Sequence, residues 1–148
     1  MSAPDSPRVF TPEEVDALIP ELRHQVATQL ALGQEISRLL RRLGELIGSP
    51  VASLDPDPSD SAAARDLRAT ARDAALRYQE GWARVHALGA VVKDTSVGLL
   101  DFYGRVDGRL VWLCWRFGED RLGHYHELDT GFSARRPLGA VERSRALN

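Results

Sequence analysis

The run LLDFYGRVDGRLVWLCWRF, residues 99–117, decides the fold. Asp107-Gly108 at its centre is a two-residue hairpin signal, because a type I′ turn needs positive φ at both positions. On the arm that follows the turn, residue character repeats every two positions. Leu110, Trp112, Cys114 and Arg116 share one face, and Val111, Leu113, Trp115 and Phe117 share the other. That alternation belongs to strands, so Leu99–Val106 and Arg109–Phe117 are expected to pair antiparallel. Gly89–Lys93 reads as a short strand before them, turned by Thr95–Gly98. After a turn over Gly118–Gly123, His124–Leu128 reads as a fourth strand. Asp129-Thr130-Gly131 is another turn, Phe132 is expected to plug back into the core, and 139–148 reads as a loose tail.

The half of the chain before this run has helical spacing. Thr11-Pro12-Glu13-Glu14-Val15 supplies an N-cap, a first-turn proline and a glutamate three residues after the cap, with Phe10 and Val15 as a hydrophobic staple. Apolar residues then recur at 15, 19, 22 and 26, and again at 36, 40, 43 and 47, until Gly48 and Pro50 stop the pattern. Pro20 removes one helical hydrogen bond, so a kink or short break is expected there. Gln29 and Gly33 interrupt the apolar seam. A connector at 49–59, rich in Asp and Pro, leads to a second helix over 60–88 that Ser59 or Asp60 can cap. The reading is a single α+β domain over 1–148, a long antiparallel helical hairpin followed by a four-stranded antiparallel β-meander.

Bulk properties exclude more than they assign. The net charge of −2 gives no general attraction to nucleic acid or anionic lipid. Arg38, Arg41, Arg42, Arg65, Arg68 and Arg72 gather along the hairpin, but Glu35, Glu45, Asp60, Asp66 and Asp73 are interleaved, as on a solvated helix face. A nucleic-acid partner is therefore not expected. No window is apolar enough to span a membrane and residues 1–10 lack a secretory leader pattern, so a cytoplasmic setting is the expectation. The single cysteine, Cys114, sits between Leu113 and Trp115 and reads as a small buried apolar side chain. Lys93 is the only lysine beside eighteen arginines.

No phosphate loop, nucleophile elbow or HExxH names a reaction. His124 and His126, two apart on a strand, share a face and are the first candidates for a divalent transition metal. Glu119, Asp129 and Asp101 are the oxygen ligands within reach, while Glu127 points to the opposite face and is the weaker co-ligand. Lys93 and Asp94 end the first strand and are ligand-binding candidates, Lys93 with Arg135 steering an anion, although an ion pair or a cap explains them without function. Asp101 lies either on a solvated face or against a partner such as Arg135 or Arg136, which are also candidates for an anionic ligand. Trp112 and Trp115 take opposite faces, so one covers the hairpin and the other either lines a pocket or interface, with Trp115 the ligand-binding candidate, or fills a second small cluster.

The order Phe10-Thr11, Glu13-Glu14, Pro20-Glu21-Leu22, Val92-Lys93-Asp94, Gly98-Leu99 and Asp101-Phe102 resembles a family of small bacterial proteins. Gly108, Leu113-Cys114-Trp115, Gly118-Glu119, His126-Glu127, Gly131-Phe132, Arg135 and Pro137-Leu138 continue it. The family is the domain of unknown function numbered twenty-two-oh-three, and the likeness omits only the connector and the last ten residues. It implies no activity. It does imply a polar signature of Lys93, Asp94, Asp101, Glu119, His126, Glu127 and Arg135. Tyr125 replaces the tryptophan expected before the histidine, and His124 lies outside the pattern, which shifts weight to His126. Two readings emerge. One is a ligand- or metal-binding domain with its site on the meander. The other is a non-catalytic module that self-associates through the hairpin, using a second leucine stripe at Leu18, Leu32, Leu39 and Leu46.

Overall fold

A computed structural model describes residues 7–146. α1 (Pro12–Ile47) begins at a complete capping box: the Glu14 amide donates to the Thr11 hydroxyl at 3.2 Å, and the Thr11 amide donates to the Glu14 carboxylate at 2.8 Å. It ends where Gly48 turns left-handed at φ 74°. The break expected at Pro20 does not occur. Pro20 is exposed, and the helix runs on through it to Ile47. At about 1.5 Å per residue the helix is about 54 Å long, more than a small sheet can cover. Its two halves accordingly pack differently. Val15, Ile19, Leu22 and Val26 enter the main core, whereas Leu39 packs with Ala71 and Ala74 of α2 (Ala62–Ala87) and with Leu54 of the connector.

α2 is capped by Ser61, whose hydroxyl accepts the Ala64 amide. The residues expected to cap it do other work, since Asp60 accepts two hydrogen bonds from Arg68 at 2.7 and 3.0 Å. Arg68 also donates to the Ser53 carbonyl and Arg72 to that of Leu54, which ties the connector down onto α2. Where the two helices cross near the sheet, Gln29 is buried and donates to the Tyr78 carbonyl at 2.6 Å. Its carboxamide occupies the space a Cβ at Gly81 would need, so the polar interruption in the seam is matched by a residue without a side chain.

β1 (Val91–Asp94), β2 (Leu99–Val106), β3 (Arg109–Arg116), β4 (His124–His126) and β5 (Arg136–Pro137) form one antiparallel sheet in chain order. Five strands replace the expected four. β5 has two residues and no alternation to reveal it, and Pro137 lacks the amide that a longer ladder would need. The Asp107-Gly108 turn has positive φ at both residues and sets the register of β2 on β3. Leu100, Phe102, Val111, Leu113, Trp115 and Tyr125 face α1 and α2. A side chain of this size contributes about 1.5–3 kcal/mol when fully buried. Residues 140–145 form α3 rather than a loose tail. Arg143 fastens it by donating to Asp16 and to the Leu122 carbonyl at 2.6 Å each, and Ala146 reaches the core.

No helix among the described residues is long and apolar enough to cross a membrane. Gly81→Ala is expected to push against Gln29 and to cost about 1–3 kcal/mol by urea denaturation. Joined to Gln29→Ala, it should cost less than the sum of the two single changes.

A buried Asp–Cys–His trio on the outer face of the sheet

The face of the sheet turned away from the helices is covered by its own side chains and by the β4–β5 loop. Tyr103 lies on Trp112 with ring centroids 4.1 Å apart, and the Lys93 ammonium stands 4.1 Å from the Trp112 centroid. Beneath this cover Asp101 of β2, Cys114 of β3 and His126 of β4 are 1%, 0% and 3% exposed. One ligand atom from each lies within 4.8 Å of the other two. Asp101 and Cys114 are direct cross-strand partners. His126 sits opposite Trp112, one step along, and reaches back to Asp101.

The hydrogen bonds fix how protons are distributed. His126 Nδ1 lies 2.9 Å from the Glu127 carbonyl, which only accepts, so Nδ1 carries a proton and donates. His126 Nε2 lies 2.9 Å from Asp101 Oδ2. A neutral imidazole presents a lone pair at Nε2 and a carboxylate presents another at Oδ2. One further proton must therefore lie between them, and the pair is jointly neutral either way. Asp101 Oδ1 is buried without a hydrogen-bond partner. Burial pushes the Asp101 carboxyl above its ordinary range, against the pull of His126, Cys114 and Lys93. Burial, with the Asp101 charge beside it, pushes the Cys114 thiol up to about 12.

The remaining candidates surround the trio in varied ways. Arg135 forks onto Glu119 at 3.0 and 2.8 Å and brings one guanidinium nitrogen 4.0 Å from Cys114 Sγ. Burial opposes ionisation of Glu119, yet Arg135 and the Arg116 amide hold its carboxyl below the usual range. His124 Nδ1 is 3.5 Å from Glu119 Oε2 and makes no hydrogen bond, so the two histidines share a face but engage different acids. Glu127 pairs with Arg109 and Arg136 at 2.8 and 2.9 Å, and Asp129 is exposed in a turn. Asp94 Oδ1 accepts from the Ser96 amide and hydroxyl, the cap anticipated for it. Trp115 is wholly buried on the helix side, its indole donating to the Glu119 carbonyl, and Trp112 is the tryptophan beside the trio. Phe132 is 38% exposed rather than in the core.

Cys114 is the member that sequence reading passed over. Counting back from the Asp107-Gly108 turn places Asp101 opposite Cys114, so the register held the signal. The partner of Asp101 is His126, not Arg135 or Arg136, and the solvated alternative for this carboxylate is excluded by its burial.

Residues 8–138 match the model of a family described as Uncharacterized conserved protein (DUF2203). Neither the curated proteins nor the solved structures contain a match.

His126→Ala strands the buried Asp101 and is expected to cost about 3–5 kcal/mol in denaturant titrations. Joined to Asp101→Ala, it should cost less than the two single losses added together. The Glu119 pKa is lowered on folding, so its stabilising contribution is present above the unfolded-state value and fades as pH falls through the folded-state value. Glu119→Gln should therefore flatten the acid limb of stability against pH.

Proposed function

We propose that this chain, which belongs to the DUF2203 family, is a metal-binding domain in which Asp101, Cys114 and His126 hold one divalent transition metal. The observation that carries the reading is three different ligand types buried together, with a carboxylate oxygen, Asp101 Oδ1, that has no hydrogen-bond partner and only the weak Cys114 thiol donor beside its carboxyl. An unsatisfied buried oxygen costs stability, and a cation supplies what it lacks. The histidine fits as well. Metal-bound imidazoles commonly donate their second ring N–H to a carbonyl or carboxylate, as His126 Nδ1 does to the Glu127 carbonyl, which aims Nε2 at the cluster.

The ligand set narrows the ion and its chemistry. A thiolate beside an imidazole suits zinc or iron(II) better than manganese, which prefers oxygen. Three protein ligands leave a position for water, the arrangement of catalytic zinc rather than of closed structural sites. Such an ion, held by Asp101, Cys114 and His126, would supply Lewis acidity and a water ionised near neutral pH. Lys93 beside Asp101 and Arg135 beside Cys114 favour the ionised forms that a metal requires, against the burial that opposes them. A reducing cytoplasm, the setting we favour, keeps a lone thiol available.

Self-association through the hairpin has narrower support. Leu39 is consumed within the hairpin and Leu18 and Leu32 are half-buried against it or the core. Leu46 and Leu76, 52% and 54% exposed, are what remains to recommend that reading.

The test is a cobalt(II) titration of chelator-stripped, desalted protein. One equivalent should bind, with a near-ultraviolet thiolate-to-cobalt charge-transfer band, and affinity should rise with pH because the Cys114 proton must leave. Cys114→Ala keeps the Asp101–His126 pair and should lose the band, with affinity falling by more than about 10–100-fold, the effect of losing even an outer partner. Failure of cobalt and zinc to bind stoichiometrically would sink the metal centre, as would a Cys114→Ala protein that binds as wild type does.

A further inference from the structure

On the outer face, two residues along β2 and β3 from Asp101 and Cys114, a cavity of about 240 Å³ is walled by Asp94, Val97, Leu99, Arg116 and Phe132. Its floor is one cross-strand row, since Asp94 pairs with Leu99 and Leu99 with Arg116. Phe132 closes it from the 3₁₀ turn at Phe132–Ala134 in the β4–β5 loop. The apolar part of the wall is real: Val97 and Leu99 are half-buried, and Phe132 leaves more of its ring in solvent than a core residue would.

The charged part of the wall is not self-satisfied. Arg116 makes no ion pair among the described residues, and its guanidinium carbon stands 5.7 Å from the Phe132 centroid. Asp94 spends Oδ1 on Ser96 and forms no ion pair with Arg116. The guanidinium still acts on it at longer range, adding to the Ser96 and Val97 hydrogen bonds that hold the carboxyl below its ordinary value. One wall thus offers a cation, an anion and three apolar side chains without the two charges cancelling in contact.

We propose that this cavity binds a small zwitterion with an apolar body, the chemistry of an apolar α-amino acid. Its carboxylate meets Arg116, whose planar fork matches a carboxylate in two hydrogen bonds. Its ammonium meets Asp94, and its side chain lies on Val97, Leu99 and Phe132. The volume lies below the roughly 300–1,000 Å³ of pockets for drug-sized ligands, which selects a metabolite of this size over a nucleotide. A wholly apolar ligand would leave both charges to be desolvated unpaired. The pocket does not use the trio, so it stands or falls apart from the metal centre.

Isothermal titration of the chelator-stripped full chain with L-leucine tests it. Saturable one-to-one binding is expected, with 4-methylpentanoate (no ammonium) and isopentylamine (no carboxylate) each at least about tenfold weaker, as loss of a charged contact implies. Arg116→Gln and Asp94→Asn, the second of which keeps an acceptor for Ser96, should each weaken L-leucine by a similar factor while leaving circular dichroism unchanged. Absence of binding by both L-leucine and L-phenylalanine at millimolar concentration overturns the proposal. So does 4-methylpentanoate binding as tightly as L-leucine, or either variant binding like the wild type.

Discussion

A sheet with helices on one face only must hide its second face with what its own strands carry, and much of this molecule follows from that constraint. Alternation along β2, β3 and β4 sends Leu100, Phe102, Leu113 and Trp115 into the helical core. The same alternation obliges Asp101, Cys114 and His126 to point the other way, where no α-helix waits. Their burial is achieved locally, by the Tyr103–Trp112 stack, the Lys93 ammonium over it and the loop that carries Arg135 and Phe132. A thin cover of this kind is flat, polar at its edge and close to solvent. It suits reactive groups better than it suits stability.

Electrostatics then divides the outer face into compartments. Asp101 and His126 satisfy each other as a neutral pair, and the Glu119–Arg135 fork satisfies itself beside Cys114. On the opposite face, beside Tyr125, Glu127 is claimed by Arg109 and Arg136. Among the described residues these closed partnerships leave few polar atoms over, and the ones that remain are therefore informative: Asp101 Oδ1 within the trio, His124 Nδ1 at its edge and the Arg116 guanidinium beside it. Nearly every other charge on the face has a structural reason to be there.

What the sequence reveals and conceals here has a physical pattern. Thr11 with Glu14, Asp107 with Gly108 and the alternation of β3 announce themselves because each acts over a few residues. The family likeness adds His126, Asp101, Glu119 and Arg135 as a polar signature, but not which of them meet. β5 and α3 escape because two residues or six carry no period, and they exist only through contacts with β4, Asp16 and Leu122. Cys114 is misleading for another reason. Both faces of β3 bear a tryptophan, so hydrophobicity alone does not say which face meets the helices. The pairing of His126 with Asp101 crosses strands diagonally and 25 residues of chain, beyond the reach of any local rule.

The solitary lysine has a consequence for chemistry performed on the protein. Acylating reagents that modify lysine side chains find one target, and its ammonium rests on the Trp112 ring. A neutral amide at Lys93 cannot attract the indole π-cloud as the cation does. A single acylation would therefore shift the emission of one tryptophan out of three, turning Trp112 into an optical gauge of whatever enters or leaves the trio below it.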